Sequence, residues 1–296
     1  MAKKRRSSKT RKQASVKLNW NNKTLEKVAR YFLYSEGRLS KDQIIEIGNQ
    51  TLFHKLKSGG YIEEVKNTNK GVFKTTEKLR NQYKTNIDAK ARFSGSGSTE
   101  HSKGVYNIVK ILPHSIIMDG KIQTEEDLKD EFKKLKKKKE FKASVASYRE
   151  KLNTDKINLI DKYKKELQNT PKNRQALLKA HYIKEIEKID YRLKVLDDKK
   201  RGISHSDFRV IATKEQAEEV LRNLQEERDR FEDIYYINQF DKAIDKLQNI
   251  IIKAEPTQEI RINFEVITKN YEARDIIAKE NYEVITGQEM IFLPAY

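Results

Sequence analysis

The chain has 296 residues and a formal charge of +18, from 62 Lys and Arg against 44 Asp and Glu. It contains no cysteine, which excludes disulfides, thiolate nucleophiles and cysteine-based zinc or iron–sulfur sites. Charged residues equal hydrophobic ones at 36% each, a balance that suits long exposed helices and arms better than one thick core.

The positive excess is clustered, and clustered Lys and Arg release counterions from nucleic acid, so a polyanionic partner is expected. No apolar run approaches the roughly 18 residues of a membrane span. No apolar stretch follows the basic N-terminus as it would in a secretory signal. The expectation is a cytoplasmic protein that does not contact a membrane.

Residues 1–20 read as a basic arm. Eight basic residues and no acid fall between positions 3 and 17, among them Lys3, Lys4, Arg5, Arg6, Arg11 and Lys12. Such a run cannot bury apolar surface, is expected to be disordered alone, and suits phosphate tracking or minor-groove contact. From Asn21, apolar Leu25, Val28, Ala29, Phe32 and Leu33 recur at helical spacing, and Gly37 closes the helix. Ser40 and Gln43 form a capping box ahead of Ile44, Ile45 and Ile47. Gly48-Asn49 turns the chain, and Asn49 caps a third helix carrying Leu52, Phe53 and Leu56, ended by Gly59-Gly60. Residues 61–65 and 72–75 read as two short strands around the tip Asn67-Thr68-Asn69-Lys70-Gly71, and Thr76 opens a fourth helix running to about Thr85.

Helix, helix, helix, hairpin, helix resembles a winged helix-turn-helix domain over residues 21–87, within a unit bounded at 21–92. The runs HKLKSGGYIEE and GVFKTTEKLR carry the resemblance. It implies a third helix in the major groove and a wing on the backbone or minor groove. Asn49, Gln50, Thr51, His54, Lys55 and Lys57 then form the exposed recognition face, and Asn67, Asn69 and Lys70 the wing-tip contacts. Asn and Gln suit adenine edges, whereas Lys suits phosphate or guanine. Winged helices also serve as protein–protein modules, so that reading stands beside the DNA one.

Residues 93–104 have linker composition and lack the Lys-Ser/Thr ending of a phosphate loop. The run TEHSKGVYNIVKILPHSI followed by TEEDLKDEFK resembles the replication-relaxation family of Gram-positive plasmids and conjugative elements. Ile116 to Ile122, around Asp119-Gly120, carry a hairpin signal, and Thr124 with Asp127 caps a helix. Residues 133–142 hold seven lysines, either a second phosphate surface or a solvated helix face.

A helical, coiled-coil-like region is expected over 105–253. Phe141, Val145, Tyr148 and Leu152 form one stripe. After a break at Thr170-Pro171, with Thr as cap and Pro at the first helical position, Tyr182, Ile186, Ile189, Leu193 and Leu196 form another. Ile237, Phe240, Ile244, Leu247 and Ile251 repeat the alternation. Spacing near 3.5 fits an antiparallel bundle within the chain, or a seam for a homodimer or partner protein. Residues 254–296 read as a small αβ cap: an alternating strand over 259–267, a helix near 271–280, a stretch at 282–286 before Gly287, and a closing apolar run at 290–293. The fold class expected is mainly α with small β.

His54, His101, His114, His181 and His205 show no zinc spacing, and neither metal nor cofactor is called for by residue pattern. The replication-relaxation resemblance implies a nuclease-like C-terminal fold, in which an Asp and a Glu on adjacent strands hold a divalent ion. Asp207 and Glu265 match those positions. Residue 267, where a lysine would follow, is Ile, and Lys269 sits two positions late. The leading expectation is a protein of a mobile element that binds double-stranded DNA in replication or transfer initiation, or in transcriptional regulation. A phage-encoded factor acting on a host protein is the alternative, and a metal-dependent nuclease stands behind both.

Overall fold

A computed structural model describes residues 16–66, 71–93 and 98–296. Lys3, Lys4, Arg5, Arg6, Arg11 and Lys12 of the basic run, and Asn67, Asn69 and Lys70 of the tip, lie outside the described residues. Helices dominate and strands form two small sheets, so the chain is mainly α with small β.

The N-terminal unit runs α1 (Lys23–Tyr34), β1 (Arg38–Ser40), α2 (Lys41–Ile47), α3 (Gln50–Ser58), β2 (Ile62–Glu64), β3 (Val72–Thr75) and α4 (Glu77–Asn86). Local chemistry sets the helix starts. The Asn22 side chain accepts from the amides of Thr24 and Leu25, Ser40 and Gln43 close the capping box, and the Asn49 side chain accepts from the Leu52 amide at 2.8 Å. Asn49→Ala is therefore expected to remove about 1 kcal/mol of stability, measured by denaturant unfolding.

Three antiparallel strands lie in the order β1-β3-β2. The strand pair matches expectation, whereas β1 has no sequence pattern of its own. It is three residues long, between the left-handed turn at Glu36 and Gly37 (φ 55° and 75°) and the Ser40 cap. Val28, Phe32, Ile44, Phe53, Leu56, Phe73, Leu79 and Tyr83 fill the unit's core.

Next come α5 (Thr99–Lys110), α6 (His114–Met118), β4 (Ile122–Gln123) and α7 (Glu125–Leu135). Residues 99–104, expected in a flexible linker, are the first turns of α5, capped by Ser98 Oγ on the His101 amide at 3.1 Å. The hairpin expected over 116–122 does not form. Ile116 and Ile117 are both fully buried, which a helical turn allows and strand alternation does not. Gly120, at φ 70°, then leads the chain into β4. Thr124 and Asp127 cap α7 as expected.

α8 (Lys139–Asn169) and α9 (Lys172–Leu196) form an antiparallel hairpin whose longer arm spans about 46 Å at 1.5 Å per residue. Arg149–Asp197, Lys156–Asp190 and the Tyr163–Tyr182 ring contact fix its register. The Thr170 hydroxyl donates to the Glu166 carbonyl, so Thr170 ends α8 rather than starting α9, and Pro171 is the N-cap.

β5 (Phe208–Ala212), α10 (Lys214–Arg228), α11 (Ile234–Lys253), β6 (Ile260–Ile267), α12 (Ala273–Thr286) and β7 (Met290–Pro294) complete the chain. The second sheet has the order β4-β5-β6-β7. Its first three strands are antiparallel, and β7 runs parallel to β6 after the α12 crossover. The last residues thus share a sheet with residues 122–123 and 208–212.

α12 runs on to Thr286, past the end expected at about residue 280, with Asn281 fully buried inside it. Phe208, Val210, Ile262, Phe264, Ile291 and Leu293 join Phe240 and Leu247 of α11 in one core, so the α11 stripe covers the sheet rather than seeking a coiled-coil partner. Met290 and Phe292, pointing the other way, join Tyr282, Phe132, Phe141, Tyr148 and Leu152, which docks the base of the α8–α9 hairpin on α12.

Candidate functional site

Two places in the fold concentrate chemistry. The first is α3. Phe53 and Leu56 anchor it, while Gln50, Thr51, His54, Lys55 and Lys57 all face solvent. Gln50 Nε2 lies 2.8 Å from His54 Nε2 across one helical turn, so these two side chains form one polar ridge. Lys57 lies at the rim of this sector, its ammonium 5.3 Å from the centre of the Phe73 ring. Asn49, although exposed, already uses its side-chain oxygen as the helix cap. The carbonyl of Val16 accepts from Tyr61 Oη at 2.8 Å, which fastens the start of the described chain beside the C-terminal end of α3. Val16 therefore lies near α3.

The second place is a buried charge cluster where the N-terminal unit meets the second sheet. Asp207 stands at the start of β5 and Glu265 on β6, and the Asp207 amide donates to Glu265 Oε2 at 3.1 Å. Asp207 Oδ2 accepts from the Val266 amide at 2.8 Å and from His101 Nε2 at 2.9 Å. The other nitrogen of His101 lies 3.1 Å from Glu36, whose second oxygen accepts from Ser102 Oγ at 3.0 Å. Lys279 of α12 donates to Glu265 Oε2 at 2.7 Å and also to the His205 carbonyl, and Tyr271 Oη donates to Glu265 Oε1 at 2.5 Å. Glu265 is 2% exposed and Lys279 10%.

Close packing makes the reach of His101 possible. A Cβ at Gly104, one turn further along α5, would meet Val266 Cγ1 at 2.5 Å. Glu36 reaches the cluster from a left-handed conformation that disfavours any side chain, a strain of about 1–3 kcal/mol offset by the contacts it makes.

The electrostatics follow from this arrangement. Burial alone would lower the pKa of His101, but Asp207 and Glu36 on its two nitrogens outweigh it and push it up to about 11. Burial would raise Asp207, and the imidazolium holds it below the ordinary range. Burial and the neighbouring Asp207 push Glu265 up to about 7, against the pull of Lys279 and Tyr271. Lys279 overcomes burial through Glu265 and Asp207 and is raised. Burial lowers His205.

A divalent ion between Asp207 and Glu265 is what the replication-relaxation resemblance implies. Both Glu265 oxygens already accept bonds from Lys279, Tyr271 and the Asp207 amide, and Asp207 Oδ2 serves His101 and Val266. Among the described residues no group of three or more His, Cys, Asp or Glu side chains is placed to hold a metal. The carboxylates are matched to protein cations and do not fit an ion, so no hydrolytic step is derived from them. Beside them, Arg209 is 2% exposed and satisfied throughout: Nε donates to Asn263, Nη1 to Glu131 and Gln123, and Nη2 to Gln288.

Sequence reasoning placed Asp207 and Glu265 on adjacent strands, and the structure brings them together. It missed Glu36, His101 and Lys279. The one local signal for Lys279 is its position among Ala278, Tyr282 and Ile285 on the buried side of a helix, where a lysine needs an acidic partner. The chain has no match among protein-family models, curated proteins or solved structures.

Proposed function

We propose that the chain binds double-stranded DNA through its N-terminal unit as a winged helix-turn-helix, with α3 as the recognition helix. The observation that supports this most directly is the exposed sector of Gln50, Thr51, His54, Lys55 and Lys57 over the buried anchors Phe53 and Leu56. The order of elements and the β1-β3-β2 sheet beside α3 fit that reading, as does the position of Val16 near the same helix. Gln50 and Thr51 would meet base edges, while Lys55, Lys57 and the basic run neutralise phosphates.

The α8–α9 hairpin, with Ile157 and Leu177 exposed at 59% and 75%, is the assembly arm for a second copy or a partner protein. The proposed setting is a mobile element, in replication or transfer initiation or in transcriptional control.

The test is a titration of duplex DNA with Lys55→Glu and Lys70→Glu at two salt concentrations. The expected result is a loss of at least about tenfold in affinity, and a salt slope shallower by about one unit per lost phosphate contact. Unchanged affinity in both variants would falsify the recognition-helix assignment and leave the protein-interaction reading. Metal-dependent nicking lost on Asp207→Ala and Glu265→Ala would turn the assignment toward phosphodiester hydrolysis.

A further inference from the structure

We infer that the lysine-rich corner between α7 and α8 is a second phosphate-contact surface, which takes the backbone of a duplex nucleic acid without reading its sequence. This goes beyond the α3 reading and rests on a different surface. Residues 133–142 contain seven lysines and one acid, Glu140. Lys133, Lys134, Lys137, Lys138, Lys139 and Lys142 are all exposed. Of these, and among the described residues, Lys133 alone meets a carboxylate, Asp130 at 3.4 Å. Further along the two long helices, residues 143–196 hold thirteen Lys and Arg against seven Asp and Glu, and Lys156, Lys162, Lys164 and Lys188 each have an acidic partner. With one acid to seven lysines, the corner is therefore poorer in counter-charge than the rest of the two helices.

The backbone that carries these lysines is held in place. Phe132 and Phe141, both buried, pack edge to face at 6.0 Å and clamp the end of α7 to the start of α8, and Phe132 packs on Tyr282 at 5.4 Å. Lys136 lies over the Phe132 ring at 4.4 Å. α8 starts from Lys138 without a side-chain cap, so the amides of its first turn add their own positive potential. Ammonium groups crowded along one short stretch of chain repel one another until an anion is shared between them, and a row of phosphates supplies several at once. A lipid surface would call for exposed apolar side chains among the lysines. No large apolar residue is exposed between positions 98 and 156.

The experiment measures binding of the full chain to duplexes of two unrelated sequences across a salt series, for wild type, Lys134→Gln/Lys137→Gln/Lys138→Gln, and Lys55→Gln/Lys57→Gln. The corner triple is expected to lose about tenfold affinity on both sequences alike, and to lower the slope of log affinity against log salt by about 2–3 units. A triple Lys→Arg variant should restore both, and unchanged melting temperatures control for folding. An unchanged slope and affinity in the corner triple overturns the inference, whatever the α3 variant does. A loss in the corner triple with an unaffected α3 variant supports the corner and removes the α3 assignment. Binding to phosphatidylserine vesicles but not to duplex, abolished by the same triple, also overturns it.

Discussion

Lys279→Met is expected to destabilise the fold by about 3–5 kcal/mol at pH 8, the usual consequence of leaving a buried carboxylate without its cation. Glu265, 2% exposed and next to Asp207, would then keep only the Tyr271 hydroxyl and the Asp207 amide. The loss should shrink on acidification, because Glu265 escapes the penalty by taking a proton. Its folded pKa is already pushed up to about 7 from 4.5, so its contribution to stability is full below 4.5 and lost as pH rises through about 7. Urea unfolding at pH 6 and pH 8 reads the difference. Glu265→Gln/Lys279→Met should be more stable than Lys279→Met alone at pH 8, since the unpaired charge is gone. Equal losses at both pH values, or a double variant weaker than the single, would show that Glu265 and Lys279 do not act as a pair.

His101→Gln is expected to flatten the pH dependence of stability as well as weaken the fold. His101 has a folded pKa of about 11 against 6.5 in the unfolded chain. The stability it contributes is therefore fully present below pH 6.5 and lost as pH rises through about 11. Within that window the native state holds one proton more than the unfolded state, and stability falls by about 1.4 kcal/mol per pH unit. Glu265 adds a decline of the same sign between 4.5 and about 7, whereas Asp207, held low by His101, works oppositely on the acid side, where stability is lost below 3.8.

Wild type should thus lose roughly 3 kcal/mol between pH 7 and pH 9, and His101→Gln most of that slope. Urea midpoints across this range settle it: parallel profiles would remove His101 from the account. The same variant reports on how the chain is joined. His101 bridges Glu36, in the turn after α1, to Asp207 on the second sheet, so its loss should open the protein first at that junction, seen as earlier proteolysis between the N-terminal unit and α5.

The local elements were legible because their causes lie within four residues of one another. Asn22, Ser40 and Asn49 announce helices by the hydrogen bonds their side chains accept from nearby amides, and Thr124 by the bond its own amide donates to Asp127. The stripes on α8 and α9 follow from helical period, and composition alone excluded cysteine chemistry. β1, too short for a period, and α6, whose paired isoleucines are buried from both directions, needed neighbours to decide them.

The charge cluster lay further out of reach. Asp207 and Glu265 could be proposed as a strand pair, but nothing in the sequence said that Lys279, His101 and Glu36 would neutralise them. Those contacts depend on the crossover that lays α12 against β6, on the tight seat of Gly104 against Val266, and on a left-handed turn at residue 36. A carboxylate pair in sequence has the same signature whether it is open to an ion or closed by protein cations. Burial and register distinguish the two, and only the folded chain carries them.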